Sequence, residues 1–147
     1  IHKVADDVEK KTGLKVLHIA DVTGENIIEK NKSIVGLLGT DFTMSEDFYK
    51  KRLNDKYNIE VMIPEEKERE RIHRVIYDEL CCGIVKSQSK SDFITIINNL
   101  KEKGAEGVIL GCTEIPMLIE QKDLDIRVFD SMKLHAEAIV KEMLKDQ

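Results

Sequence analysis

The sequence predicts an α/β fold built on a mostly parallel sheet. Three observations point to it. Short apolar runs alternate with longer amphipathic stretches, the signature of strand–helix units. The run at residues 33–39 (SIVGLLG) is near-continuous rather than alternating, as expected for a strand covered on both faces. A chain of 147 residues with 41% hydrophobic content is long enough for one core and short for two full domains.

The elements follow in order. A polar, helix-like opening segment is closed by Gly13 as a C-terminal cap, and residues 14–20 (LKVLHIA) read as a first strand. Residues 33–39 (SIVGLLG) form a second strand ending at Gly39 and Thr40. Residues 43–57 (TMSEDFYKKRLNDKY) read as a helix, with Thr43 as N-cap and Glu46 three residues on in a capping-box pattern. Residues 59–63 (IEVMI) form a third strand, stopped by Pro64.

Two helices then follow without a strand between them. Residues 65–82 space Ile72, Val75, Ile76 and Leu80 along one face, and the next helix does the same with Phe93, Ile96, Ile97 and Leu100. Residues 83–91, rich in Lys, Ser and Gln, read as an exposed joining loop. Residues 107–111 (GVILG) form a fourth strand bounded by glycines. A brief helical turn from Thr113 is interrupted by Pro116, residues 126–129 form a last strand, and residues 131–145 form an amphipathic helix on Met132, Ala136, Ile139, Val140 and Met143.

Composition excludes several classes of function. Lys+Arg 23 against Asp+Glu 28 give a net charge of −5 without a basic block, so nucleic acid is not an expected partner. No apolar run reaches the roughly 18 to 20 residues that span a bilayer, and no signal-peptide pattern opens the chain, so a soluble cytoplasmic protein is expected. Cys81, Cys82 and Cys112 are odd in number and lack metal-ligand spacing, so reduced thiols and no metal are expected. The chain opens on Ile1 rather than Met, which suggests a piece of a longer protein.

Ligands of open α/β sheets bind at the carboxyl ends of strands. Two loops there carry suitable groups. Gly39-Thr40-Asp41-Phe42-Thr43 offers two hydroxyls and the amides of a helix start, an arrangement suited to a carboxylate. Gly111-Cys112-Thr113-Glu114 sets a thiol between a strand end and a helix start, a position expected to favour thiolate, the form that acts as base or nucleophile.

These residues resemble a known family. GVILGCTEIPMLI at 107–119 looks like the C-terminal signature of the cofactor-independent aspartate/glutamate racemases, and GLLGTDFTM at 36–44 looks like their GTxxT segment. HKVADDVE at 2–9, VLHIADVTG at 16–24, IYDELCCG at 76–83 and FDSMKLHAEAIV at 129–140 agree as well. The resemblance implies two pseudo-symmetric flavodoxin- or Rossmann-like lobes, with the active site between them and usually a homodimer. In the family one acid/base residue comes from a CNTxH-like motif in the first lobe and the other from GCTE in the second. Only the second motif is present here, and His2 matches the histidine that closes the first.

On that pattern residues 1–20 would be the remainder of the first lobe, residues 21–116 the second lobe, and residues 117–147 a strand and helix returning toward the first. The implied reaction is racemisation of aspartate or glutamate without pyridoxal phosphate or any other cofactor. Cys112 would be the acid/base group, with Thr40, Thr43, Thr113, Glu114 and His2 binding substrate. Glutamate racemases of the cell-wall type have His at the position of Glu114, so Glu points toward aspartate or broad aspartate/glutamate substrates.

Two other readings stand beside this one. The chain could be a non-catalytic remnant or ligand-binding module, since one acid/base group exchanges an α-proton but does not readily serve the opposite face. A second chain or gene segment carrying the CNTxH half would discriminate. It could also be a related isomerase or decarboxylase with a similarly placed cysteine, which Glu114 and the GTxxT segment argue against. Cys81 and Cys82 read as packing residues at a helix end, and His18 and His135 as core or second-layer histidines. His73, among Arg69, Arg71 and Arg74, reads as solvated, and EEKERER at 65–71 as an exposed ion-paired face.

Overall fold

A computed structural model describes residues 4–145. Helix α1 (Ala5–Thr12) ends at Gly13, whose φ of 71° is the left-handed cap that glycine adopts without cost. Then come α2 (Ile19–Glu29), β1 (Ile34–Leu38), α3 (Asp41–Ser45), α4 (Asp47–Tyr57), β2 (Glu60–Met62), α5 (Glu66–Asp78), α6 (Ser87–Glu102), β3 (Gly107–Leu110), β4 (Arg127–Asp130) and α7 (Ser131–Met143). Short 3₁₀ turns occupy Leu80–Cys82, Ile115–Met117 and Gln121–Asp123.

All strand pairs are parallel, in the order β2-β1-β3-β4. The chain therefore winds outward from β1 to β2, returns to the other side of β1 at β3, and winds outward again to β4. That reversal leaves a crevice outside the carboxyl ends of β1 and β3, where open α/β sheets bind ligands. Apolar side chains fill both faces of the sheet. Val35, Leu37, Ile109 and Phe129 pack with Ala20 and Ile27 of α2 and with Tyr49 and Leu53 of α4. Leu38, Val108 and Leu110 pack with Ile72, Val75 and Ile76 of α5 and with Phe93, Ile97 and Leu100 of α6. This two-sided cover explains why β1 and β3 read as unbroken apolar runs.

The structure corrects several sequence-based expectations. Residues 14–20 are not a strand: His18 caps α2, its Nδ1 accepting the Ala20 amide at 3.1 Å. The buried residues Ala20, Thr23, Gly24 and Ile27 recur at helical spacing, and that periodicity outweighs the apolar run before it. The capping box expected at Thr43 is absent. Thr40 caps α3 instead, and Glu46, with extended φ −74° and ψ 144°, separates α3 from α4. The segment expected to be a loop as far as residue 91 becomes helical from Ser87.

Charged pairs tie the helices together. Arg52 of α4 holds Asp21 of α2 through Nε at 2.7 Å and Nη2 at 3.0 Å, and reaches Asp6 of α1 at 3.0 Å. The charged start of α5 makes its pairs between elements rather than along its own face: Glu65 with Lys103, Arg71 with Asp92. On α7 the apolar residues Met132, Ile139, Val140, Met143 and Leu144 are exposed. Among the described residues no helix is long and apolar enough to cross a membrane.

Candidate active site

The two loops singled out in the sequence meet at the β1/β3 crevice. The β ladder runs one step beyond the strands, with the Gly111 amide donating to Leu38 O at 2.7 Å. Glycine is needed on both sides of this junction. A Cβ on Gly39 would lie 3.1 Å from the Thr43 side chain, and one on Gly111 would lie 3.0 Å from Leu38 O and 3.4 Å from Thr43 Cγ2. Thr43 is thus lodged between the two strand ends, against the residue that precedes Cys112.

At the end of β1, Thr40 Oγ1 accepts the Thr43 amide at 3.3 Å, and the two hydroxyls lie 3.1 Å apart. Both threonines are partly buried. They form a compact pair of hydroxyls able to rotate toward an anion.

At the end of β3, Cys112 is partly buried and packs against the α5/α6 side of the core. Its Sγ donates to Glu114 Oε2 at 2.8 Å. Burial, reinforced by the Glu114 carboxylate, pushes the thiol up to about 12. The expectation of a favoured thiolate is therefore overturned in this arrangement. Its physical basis is missing, because Cys112 is followed only by the 3₁₀ turn Ile115–Met117 and not by a helix with an appreciable dipole. Glu114 is held below the usual carboxylate range by hydrogen bonds, first from the Cys112 thiol and then from the Thr113 side chain.

Thiol and carboxylate thus form a proton-sharing couple, with the proton on sulfur and the charge on oxygen. Such a couple can donate a proton to a carbanion, and Glu114 is in place to accept the thiol proton, a transfer that leaves the couple's single negative charge on sulfur instead of oxygen.

The Thr40–Thr43 pair and the Cys112–Glu114 pair sit on neighbouring strand ends that meet through Thr43 and Gly111, while His2 lies outside the described residues. Thr113 is exposed and bonded to Glu114. Cys81 and Cys82 are exposed rather than packed. The Cys81 thiol is pushed up by partial desolvation and by the charge of Glu114, which brings this exposed residue into the site's electrostatics. His18 is buried as the α2 cap, and His135 Nε2 lies 2.8 Å from Leu17 O. His73 is not simply solvated: its Nδ1 accepts the Asp41 amide at 3.3 Å, and its ring lies 4.6 Å from that of Tyr77. Sequence spacing carried no signal for that contact, since 32 residues separate the partners. No group of three or more His, Cys, Asp or Glu among the described residues is placed to hold a metal ion.

The sequence profile of the Asp/Glu/hydantoin racemase family matches residues 1–139. A "putative Asp/Glu racemase" from Yersinia pestis is 43% identical, with a TM-score of 0.94 over 98% of this chain and 63% of its own. An aspartate racemase homologue from Pyrococcus horikoshii OT3 is 39% identical, with a TM-score of 0.89 over 95% of this chain and 61% of its own. The aspartate racemase of Picrophilus torridus is 28% identical, with a TM-score of 0.68 over 87% of this chain and 52% of its own. The chain thus spans less than two thirds of each of these solved chains.

Proposed function

The chain belongs to the Asp/Glu/hydantoin racemase family, and on that premise we propose that it carries an acid/base site for cofactor-independent proton transfer at the Cα of aspartate or glutamate. The observation that carries the proposal is the Cys112–Glu114 couple, 2.8 Å between Sγ and Oε2, at the β1/β3 switch point beside the Thr40–Thr43 hydroxyl pair.

The chemistry sets the requirements. An amino-acid α-proton is weakly acidic, and without an electron sink the carbanion must form between an accurately placed base and fixed donors to the carboxylate. Thr40 and Thr43 supply the hydroxyls for one substrate carboxylate, with His2 and Thr113 as further binding groups. The substrate ammonium provides the cation that favours the thiolate. Glu114 takes the thiol proton, the resulting Cys112 thiolate takes the α-proton, and the re-formed thiol returns a proton to the carbanion. Inversion needs a second acid/base group on the opposite face. The same reading places the reaction in a homodimer in the cytoplasm.

Circular dichroism of L-aspartate and L-glutamate incubated with the chain tests the proposal. In a preparation that also supplies the opposite-face acid/base group, the expected result is loss of optical activity that disappears in Cys112→Ala. Unchanged ellipticity with the wild-type chain contradicts racemisation by this chain and favours a binding module.

A further inference from the structure

Helix α3 spans only Asp41–Ser45, too short to hold its geometry by helix propensity alone. Two of its amides are satisfied from within, Thr43 by Thr40 Oγ1 and Met44 by Thr40 O. The Asp41 amide turns outward to α5 and donates to His73 Nδ1 at 3.3 Å. One helical turn earlier on α5, Arg69 Nε lies 3.8 Å from Asp41 Oδ1, and Ser45 Oγ donates to the same oxygen at 3.0 Å. Asp41 is therefore held to α5 by a hydrogen bond from its main chain, with only a loose ion pair at its side chain. These groups line a groove of about 590 Å³ together with Glu70 and Arg74. The Tyr77 ring lies 4.6 Å from the imidazole between centroids, tilted by 44°.

Asp41 directly follows Thr40, whose ψ of 159° fixes the orientation of the Asp41 amide relative to the Thr40 side chain. We infer that His73 is a positioning residue of the candidate site: by accepting the Asp41 amide it seats the turn that aims the Thr40 and Thr43 hydroxyls. The inference rests on reading that turn as a carboxylate cradle. His73 acts through the backbone and touches no substrate. The accepting Nδ1 requires the tautomer protonated at Nε2.

The test uses the ¹⁵N-labelled chain and three variants. His73→Phe keeps a ring against Tyr77 but removes the acceptor, His73→Asn restores an acceptor at similar reach, and Thr40→Val removes the hydroxyl. The Asp41 amide resonance reports the seating with no ligand present. In His73→Phe it is expected to move upfield and to exchange with solvent about tenfold faster, and His73→Asn should return both toward wild type. Titration with L-aspartate should show about tenfold weaker binding in His73→Phe, recovered to within about threefold in His73→Asn, with unfolding midpoints unchanged.

An Asp41 amide unaltered in His73→Phe overturns the inference, as does L-aspartate affinity that is unaltered in His73→Phe but lost in Thr40→Val. If wild type and Thr40→Val bind L-aspartate equally, the cradle reading fails, and the Asp41 amide still rules for or against seating by His73.

Discussion

Replacing Glu114 by Gln should make Cys112 more reactive toward alkylation, and the structure sets the size of the effect. The thiol sits at about 12 because of burial first and the Glu114 carboxylate second. The substitution removes only the second cause. A negative charge 2.8 Å from sulfur opposes thiolate formation by about 1.5 kcal/mol at the dielectric of water and by about 6 kcal/mol at an effective dielectric of 20. Cys112 is only partly buried, so solvent screening favours the lower figure, roughly one pKa unit.

One unit raises the thiolate fraction at pH 8 about tenfold. Intrinsic nucleophilicity falls with the pKa, with a Brønsted coefficient near 0.4–0.5, which leaves a net gain of about three- to fourfold. The assay is iodoacetamide labelling at pH 8 followed by peptide mass spectrometry, with the exposed Cys82 as internal reference. In wild type Cys112 should label far more slowly than Cys82, and Glu114→Gln should speed Cys112 at least threefold relative to Cys82. A Cys112 rate that is unchanged or lower would refute the electrostatic coupling of the two residues.

Three further outcomes follow from the packing and the ion pairs. Burial raises the Asp21 carboxyl, but the hydrogen bonds and charges of Arg52 and Lys56 hold it below its usual value; a depressed folded-state value gives stability that is full above the unfolded carboxylate value near 3.9 and is lost as pH falls through the folded one. Asp21→Asn should therefore cost about 1–2 kcal/mol at pH 7 in urea unfolding, and the gap to wild type should close below about pH 4. Gly107→Ala should cost about 1–3 kcal/mol in the same assay, because its Cβ would lie 2.5 Å from Phe129 Cε2 and 3.1 Å from the backbone oxygen of Arg127. Thr40→Val should cost about 1 kcal/mol through loss of the α3 cap, and Thr40→Ser, which keeps the cap, should recover most of it.

Much of the fold was legible because its strands are covered on both faces. Residues 33–39 and 107–111, short apolar runs ending in glycine, contain β1 and β3, and α5 and α6 declare themselves by apolar spacing that the core confirms. Residues 14–20 misled because a short apolar run does not distinguish a strand from an approach to a helix, and the deciding feature is the His18 cap. Thr40 and Thr43 compete locally as caps. The choice depends on where the end of β1 points, which spacing does not encode.

The location of the site was legible for the same reason as the strands that deliver it. Its protonation was not, because burial of Cys112 and the rotamer of Glu114 are properties of the packed state. The contact of His73 with Asp41 was likewise hidden, since it joins two helices separated in sequence by α4 and β2.

Proton exchange between Cys112 and the substrate Cα is read by proton NMR of L-aspartate incubated with the chain in D₂O. The account predicts replacement of the α-proton by deuterium, abolished in Cys112→Ala and slowed in Thr40→Val, whether or not the configuration also inverts. Exchange that persists in Cys112→Ala, or an α-proton untouched by wild-type protein shown to bind L-aspartate, would contradict it.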